Sequence, residues 1–136
     1  MLTIDEIKLI KKSWKLLQGV DPLIIGDVFY RKLFIDVPEV RHLFISDPEE
    51  QARKLVDMLS IIIARLDELH ILTDEIHKMA IRHVTYGVKI KHYEYVGSAL
   101  LWTLEQGLRN EWNEQLAKAW TKCYNLLAQT MIKAAY

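Results

Sequence analysis

Disulfide chemistry is the first thing the sequence lacks: its 136 residues contain one cysteine, Cys123, which has no partner within the chain. Its place in the apolar repeat of the last predicted helix suits a buried, inert thiol. A charge excess is missing too. Eighteen basic residues cancel eighteen acidic ones, so there is no broad positive field to attract nucleic acid or an anionic membrane surface. Lys8, Lys11, Lys12 and Lys15 follow Asp5 and Glu6 and read as the wetted face of a first helix. No stretch approaches the roughly 18 apolar residues a membrane span needs. The opening MLTIDEIKLIKKSW carries acids early and is not patterned as a signal peptide. The expectation is a cytoplasmic protein. No alternating strand pattern of useful length, internal repeat or low-complexity stretch appears, and only three prolines and five glycines punctuate the chain.

What is present is apolar and helical. A hydrophobic fraction of 51% is enough to fill a sizeable core, and the length fits one domain, residues 1–136. Thr3 and Glu6 form a capping-box pattern before Ile4, Ile7, Ile10, Trp14 and Leu17. Gly19 and Val20 end that helix. Asp21-Pro22 predicts a second helix reaching about Phe34, and Asp36-Val37-Pro38 a short one ending near Phe44. Ser46-Asp47-Pro48 starts a helix with Leu55, Met58, Leu59, Ile62, Ile63 and Leu66 on one face. Thr73-Asp74 is read as the cap of a helix holding Ile76, Met79, Ala80 and His83 and stopping by Gly87. Two more helices are expected over about 92–109 and 113–134. The fold class is therefore all-α, with about seven helices.

Candidate chemistry is sparse. Histidines stand at 42, 70, 77, 83 and 92, with no pair spaced i, i+4. HExxH, CxxC, aspartate-rich, Gly-rich phosphate and GxSxG patterns are all absent, which speaks against a protein-only metal site and against nucleophilic hydrolysis. His83 projects from the apolar side of its helix, with Ile76, Met79 and Ala80 at i−7, i−4 and i−3. It is either a core histidine bonded to a carbonyl or an axial ligand to a flat hydrophobic cofactor, its second nitrogen anchored on the Met79 carbonyl. Gln51 continues the stripe of Leu55, and Tyr30 sits among Val28, Phe29, Leu33 and Phe34. Polar groups so placed need partners or cost roughly 1–3 kcal/mol each. They either pair with each other, backbone or water, or they converge on a pocket and serve a small polar ligand.

FYRKLF (29–34), VPEVRHLF (37–44), QARKL (51–55), RHVTYGV (82–88), HYEYVGSALL (92–101) and AWTKCY (119–124) together resemble the globins. The likeness is greatest to single-domain bacterial globins and the globin portion of flavohaemoglobins. It implies a globin fold around haem b, with His83 as the proximal iron ligand and Phe44 against the porphyrin. It puts Gln51 and Tyr30 at the distal positions, Leu55 beside the bound gas, and Tyr93 behind the proximal histidine. Lys54 and Arg82 come within reach of the haem propionates, a solvated surface position being the alternative for both. Gly26 and Ala52 match the small residues at which two helices cross. One departure stands out: bacterial relatives back the proximal histidine with a tyrosine and a glutamate, and here the glutamate's place falls near Ala135. Peroxidase-like chemistry should accordingly be weak.

By that resemblance the gaseous ligands are O2, NO and CO. Donors on Tyr30 and Gln51 stabilise the negative character that O2 gains on iron, which makes reversible O2 binding the leading expectation. A five-coordinate reduced site, tight binding and slow release follow. NO dioxygenation with a separate reductase is the enzymatic alternative. A gas sensor, or a regulatory module that has lost its cofactor, stands behind both. A monomer or weak homodimer is expected.

Overall fold

The computed structural model describes residues 2–136. It places α1 over Ile4–Leu17, α2 over Pro22–Asp36, α3 over Pro48–Ala64, α4 over Thr73–Thr85, α5 over Ile90–Leu108 and α6 over Glu114–Ala135. A 3-10 helix over Pro38–Leu43 makes the seventh element of the expected set. Further 3-10 segments cover Leu66–Leu72 and Arg109–Glu111, and no strand occurs among the described residues. None of these helices is long and apolar enough to cross a membrane.

Four helix starts are set by short polar side chains meeting amides that have no partner within the helix. The Thr3 hydroxyl accepts from Glu6 N at 3.1 Å while the Glu6 carboxylate accepts from Thr3 N at 2.9 Å, the full capping box. Asp21 accepts from Leu23 N at 2.9 Å, Asp47 from Glu49 N at 3.4 Å and Asn113 from Leu116 N at 2.8 Å.

Two starts differ from expectation. Thr73 does not cap α4: it is the helix's first residue, and its hydroxyl donates to the His70 carbonyl at 2.9 Å. The 3-10 segment Leu66–Leu72 runs directly into α4, so the amides Thr73 would have satisfied are already inside a helical chain. The next helix, α5, begins at Ile90, two residues earlier than expected. There the His92 ring accepts from Lys89 N through Nδ1 at 2.9 Å, capping from inside the first turn. Burial is the main factor holding the His92 pKa below its usual value, with Lys91 and Lys89 adding to it; the ring therefore stays neutral and able to accept.

Packing separates the apolar side chains into two clusters. The larger joins α1, α2, α3, α5 and α6 through Ile10, Trp14, Phe29, Leu33, Leu104 and Trp120. The smaller joins α4 to α6 and the end of α3 through Ile62, Ile76, Met79, Ala80, Tyr93 and Met131. Two indoles are fastened in the larger cluster by serines that pass the bond on to a helix carbonyl. Trp120 Nε1 donates to Ser13 Oγ at 2.9 Å, and Ser13 donates to Ile10 O at 2.8 Å. Trp14 Nε1 donates to Ser60 Oγ at 3.1 Å, and Ser60 to Val56 O at 2.8 Å. Cys123 is buried, and burial pushes its thiol up to about 12, well out of the reactive range.

The crossing of α2 over α3 is unusually close. A Cβ built on Gly26 would lie 2.2 Å from the Ala52 Cβ, so only glycine permits this approach. By contrast, α4 rests mainly on α6, and α3 on α2; α3 and α4 do not pack face to face. Gly87, at φ +96°, turns the chain after α4, and the space of its absent Cβ is bounded by Leu43 Cδ2 at 3.3 Å. The end of α4 is thereby brought against the Pro38–Leu43 helix.

Candidate functional site

The Gly26–Ala52 contact determines what stands near it. Tyr30 is one turn along α2 from Gly26, and Gln51 and Leu55 flank Ala52 on α3, so the crossing carries all three to one region. Tyr30, Gln51, Leu55 and Met58 are half-buried, whereas Ala52, Val56 and Leu59 beside them are buried. A helix face that is apolar yet incompletely covered is what a wall of a slot looks like. Met58 packs against both clusters, joining the wall to the side on which α4 stands.

Aromatic rings close the distal end. Tyr30 lies edge-on to Phe29 at 5.0 Å and to Phe44 at 5.2 Å, and stacks on Phe34 at 5.9 Å. Phe44 in turn meets Phe34 at 5.5 Å. Burial pushes the Tyr30 phenol up to about 12, so at neutral pH it remains protonated and able to donate. The alternative in which Tyr30 and Gln51 satisfy each other is not realised, since no hydrogen bond joins them among the described residues. Among the described residues, the one fully enclosed side-chain polar atom without a partner lies elsewhere, at the Tyr93 hydroxyl.

On α4, which packs chiefly against α6 and not face to face with α3, His83 is half-buried. Its Nδ1 lies 2.7 Å from the Met79 carbonyl, the i−4 contact expected from the spacing. With Nδ1 donating, Nε2 carries the lone pair. Desolvation dominates over the Met79 contact, and together with Arg82 it holds the His83 pKa below its usual value. The imidazole is therefore neutral and able to ligate a metal. Among the described residues no group of three or more His, Cys, Asp or Glu side chains could hold an ion unaided; a metal at His83 must bring its own equatorial ligands.

These features fit haem. An anchored neutral imidazole stands on α4, polar donors stand on α2 (Tyr30) and α3 (Gln51) beside half-buried apolar residues, and Phe44 packs edge-on against Tyr30. Lys54 is exposed and pairs with Glu50 at 3.0 Å, and Arg82 is exposed; each sits on a helix that borders the slot. Tyr93 shares the smaller cluster with Met79, one turn before His83 on α4, and with Ala135. The Tyr93 hydroxyl has no hydrogen-bond partner among the described residues.

Sequence reasoning assigned Met58 to the core, and only the placement of α4 reveals its position between the clusters. It also missed a cleft behind Leu55, which involves four helices, some of them distant in sequence.

Comparison with known proteins agrees with this fold. The family model described as Globin matches residues 27–131. A Flavohemoprotein of Vibrio cholerae is 31% identical over 135 residues; the match takes in 97% of this chain and 34% of that protein, so the chain spans about a third of that relative's length. A globin-like protein of Aquifex aeolicus is 33% identical over 132 residues, covering 97% of this chain and 93% of the other. Among solved structures, an engineered carbene transferase, described as a putative nitric oxide dioxygenase from Rhodothermus marinus, superposes with a TM-score of 0.84. It shares 30% identity, with 95% of this chain and 89% of that one covered. Tyr30, Gln51, Ala52 and His83 fall within residues 27–131, and the chain belongs to the globin family.

Proposed function

We propose that the chain binds haem b through Nε2 of His83 and uses it to bind O2 reversibly. The observation that carries this reading is the His83 ring on α4, held at Nδ1 by Met79 and kept neutral by burial, together with Tyr30 on α2 and Gln51 on α3, which the Gly26–Ala52 crossing brings to one region. When bound, haem supplies a ferrous iron with one coordination site open to a diatomic gas. The protein's residues do the rest. His83 fixes the iron's position and, through the Met79 carbonyl, its own ring plane. Phe44 and Leu55 wall off water, and Met58 lines the slot where the two clusters meet. The Tyr30 hydroxyl and the Gln51 amide donate toward negative charge developing on the ligand. Neither is a ready ligand itself, because Tyr30 stays protonated and an amide is a poor donor to ferrous iron. Lys54 and Arg82 are assigned to the propionates. With no carboxylate to strengthen the base behind His83, electron push toward iron is small and peroxidase-like activity weak.

The test is direct. Protein produced with ample haem should be coloured, and His83→Ala should lose the visible bands of a histidine-bound haem while retaining its helical content. Bands unchanged by that substitution would overturn the assignment.

One observation favours a second reading. The similarity to a putative nitric oxide dioxygenase supports oxidation of NO by bound O2, with electrons supplied by a reductase. Sustained NO consumption in the presence of NADH and a reductase would promote that reading; a single stoichiometric turnover would favour O2 binding alone.

A further inference from the structure

A cleft of about 670 Å³ is enclosed by α1, α2, α3 and α5. Its depth is buried and apolar, with Leu17, Phe29, Leu59 and Leu100 among the walls. Its rim is exposed: Ile24 stands on α2, and Glu105, Gln106 and Arg109 stand at the close of α5. The volume falls within the roughly 300–1,000 Å³ of sites that enclose small organic molecules.

Depth and rim select different ends of one occupant. Inside, the Thr103 hydroxyl already donates to Ala99 O at 2.8 Å, and the Trp14 indole to Ser60 at 3.1 Å. A polar group drawn in would lose water and recover nothing, whereas a hydrocarbon chain gains contacts on every side. The rim offers the opposite. Arg109, at φ 48° and ψ −112°, is the one non-glycine residue at positive φ among the described residues. Glycine would hold that turn without strain, so the side chain is kept against the preference of its backbone. Its guanidinium is exposed and, among the described residues, joins no ion pair. Strain of this kind is retained where a group serves a ligand. A planar fork of N–H donors suits a carboxylate, and the Gln106 amide on the same rim adds a donor. Glu105, one turn earlier, opposes an anion and moderates its affinity.

We propose that this cleft binds a free fatty acid, its tail among Leu17, Phe29, Leu59 and Leu100 and its carboxylate on Arg109. The site goes beyond the haem reading and does not depend on it.

Calorimetric titration of the haem-loaded protein with octanoate, decanoate and dodecanoate tests this. Saturable binding is expected, tightening about three- to fourfold per added methylene, with the visible bands unmoved because the ligand is not at His83. Val28→Trp fills the cleft, and Ile24→Trp, at a position already 57% exposed, crowds the mouth and should fold in any case. Each is expected to weaken decanoate about tenfold, the loss of roughly two methylenes' burial. Arg109→Gly suits the backbone and should weaken decanoate about fivefold while decanol binds as before; Glu105→Gln should tighten decanoate. Absence of saturable binding would overturn the proposal, as would decanoate that shifts the haem bands. Affinity untouched by Ile24→Trp, or a preference for carboxylate over alcohol that survives Arg109→Gly, would overturn it too. Colourless protein that still binds decanoate through Arg109 would sink the haem reading and leave the fatty-acid site standing.

Discussion

At the scale of single residues, Tyr30 offers the sharpest test of the distal site. Its phenol keeps its proton well above neutral pH and stands within the aromatic cluster rather than in a protein hydrogen bond. Hydrogen bonds to charged groups contribute about 1.5–3 kcal/mol. Tyr30→Phe should then release O2 faster by about ten- to a hundredfold, as read by stopped-flow dissociation. An unchanged rate would show that the hydroxyl does not reach the bound gas. Arg109 makes a different prediction. It closes α5 at φ 48° and ψ −112°, a conformation open to glycine and strained for a side chain by about 1–3 kcal/mol. Arg109→Gly should raise stability by about 1 kcal/mol, the strain relieved exceeding the added freedom of the unfolded chain. Urea denaturation would show the midpoint moving upward.

Among the helical elements, the α2–α3 crossing decides more than stability. Alanine is a better helix former than glycine by about 1 kcal/mol, yet at position 26 its methyl group would lie 2.2 Å from Ala52. The clash wins. Gly26→Ala should destabilise the fold by about 1–3 kcal/mol as the helices separate, and should alter O2 dissociation because Tyr30 and Gln51 move apart with them. A stable variant with wild-type gas kinetics would mean that the crossing does not position the distal pair. Much of this layer was legible in the residues. Asp21-Pro22, Asp47-Pro48, Asn113 and the Thr3–Glu6 box are local signals whose hydrogen bonds reach no further than three residues, so a one-dimensional reading finds them. Thr73 misleads because a cap needs a free helix start, and the segment before it is already helical. His92 was not readable as a cap, since its ring replaces the short side chain that pattern rules expect. The histidine and its carbonyl anchor are a single-turn relation and were legible. The cleft behind Leu55 was not, because its lining comes from α1, α2, α3 and α5 and depends on how those helices meet.

Considered as a whole, the molecule is held less firmly on one side. The larger cluster binds five helices together, while α4 is attached chiefly through α6 and the 3-10 segment before it. Haem contacting both faces of the slot would add its binding free energy to folding, about 2.7 kcal/mol at a hundredfold excess over its dissociation constant. Stripping the haem should therefore lower the melting temperature, and amide exchange should quicken first in residues 73–85 while α1 and α6 stay protected. Uniform exchange across all six helices would contradict this division of the fold.

The bond from the Trp120 indole to Ser13 spans 107 positions of sequence, and it bears on the order of events during synthesis. A ribosome adding about 5–20 residues per second needs roughly 5–20 s to make the intervening chain. For that interval Ser13 and the side of Trp14 that meets Trp120 have no permanent neighbour, although α3 already offers Ser60 to the Trp14 indole. That part of the nascent first helix stays wet, or borrowed by a chaperone, until the last one emerges to close the circle.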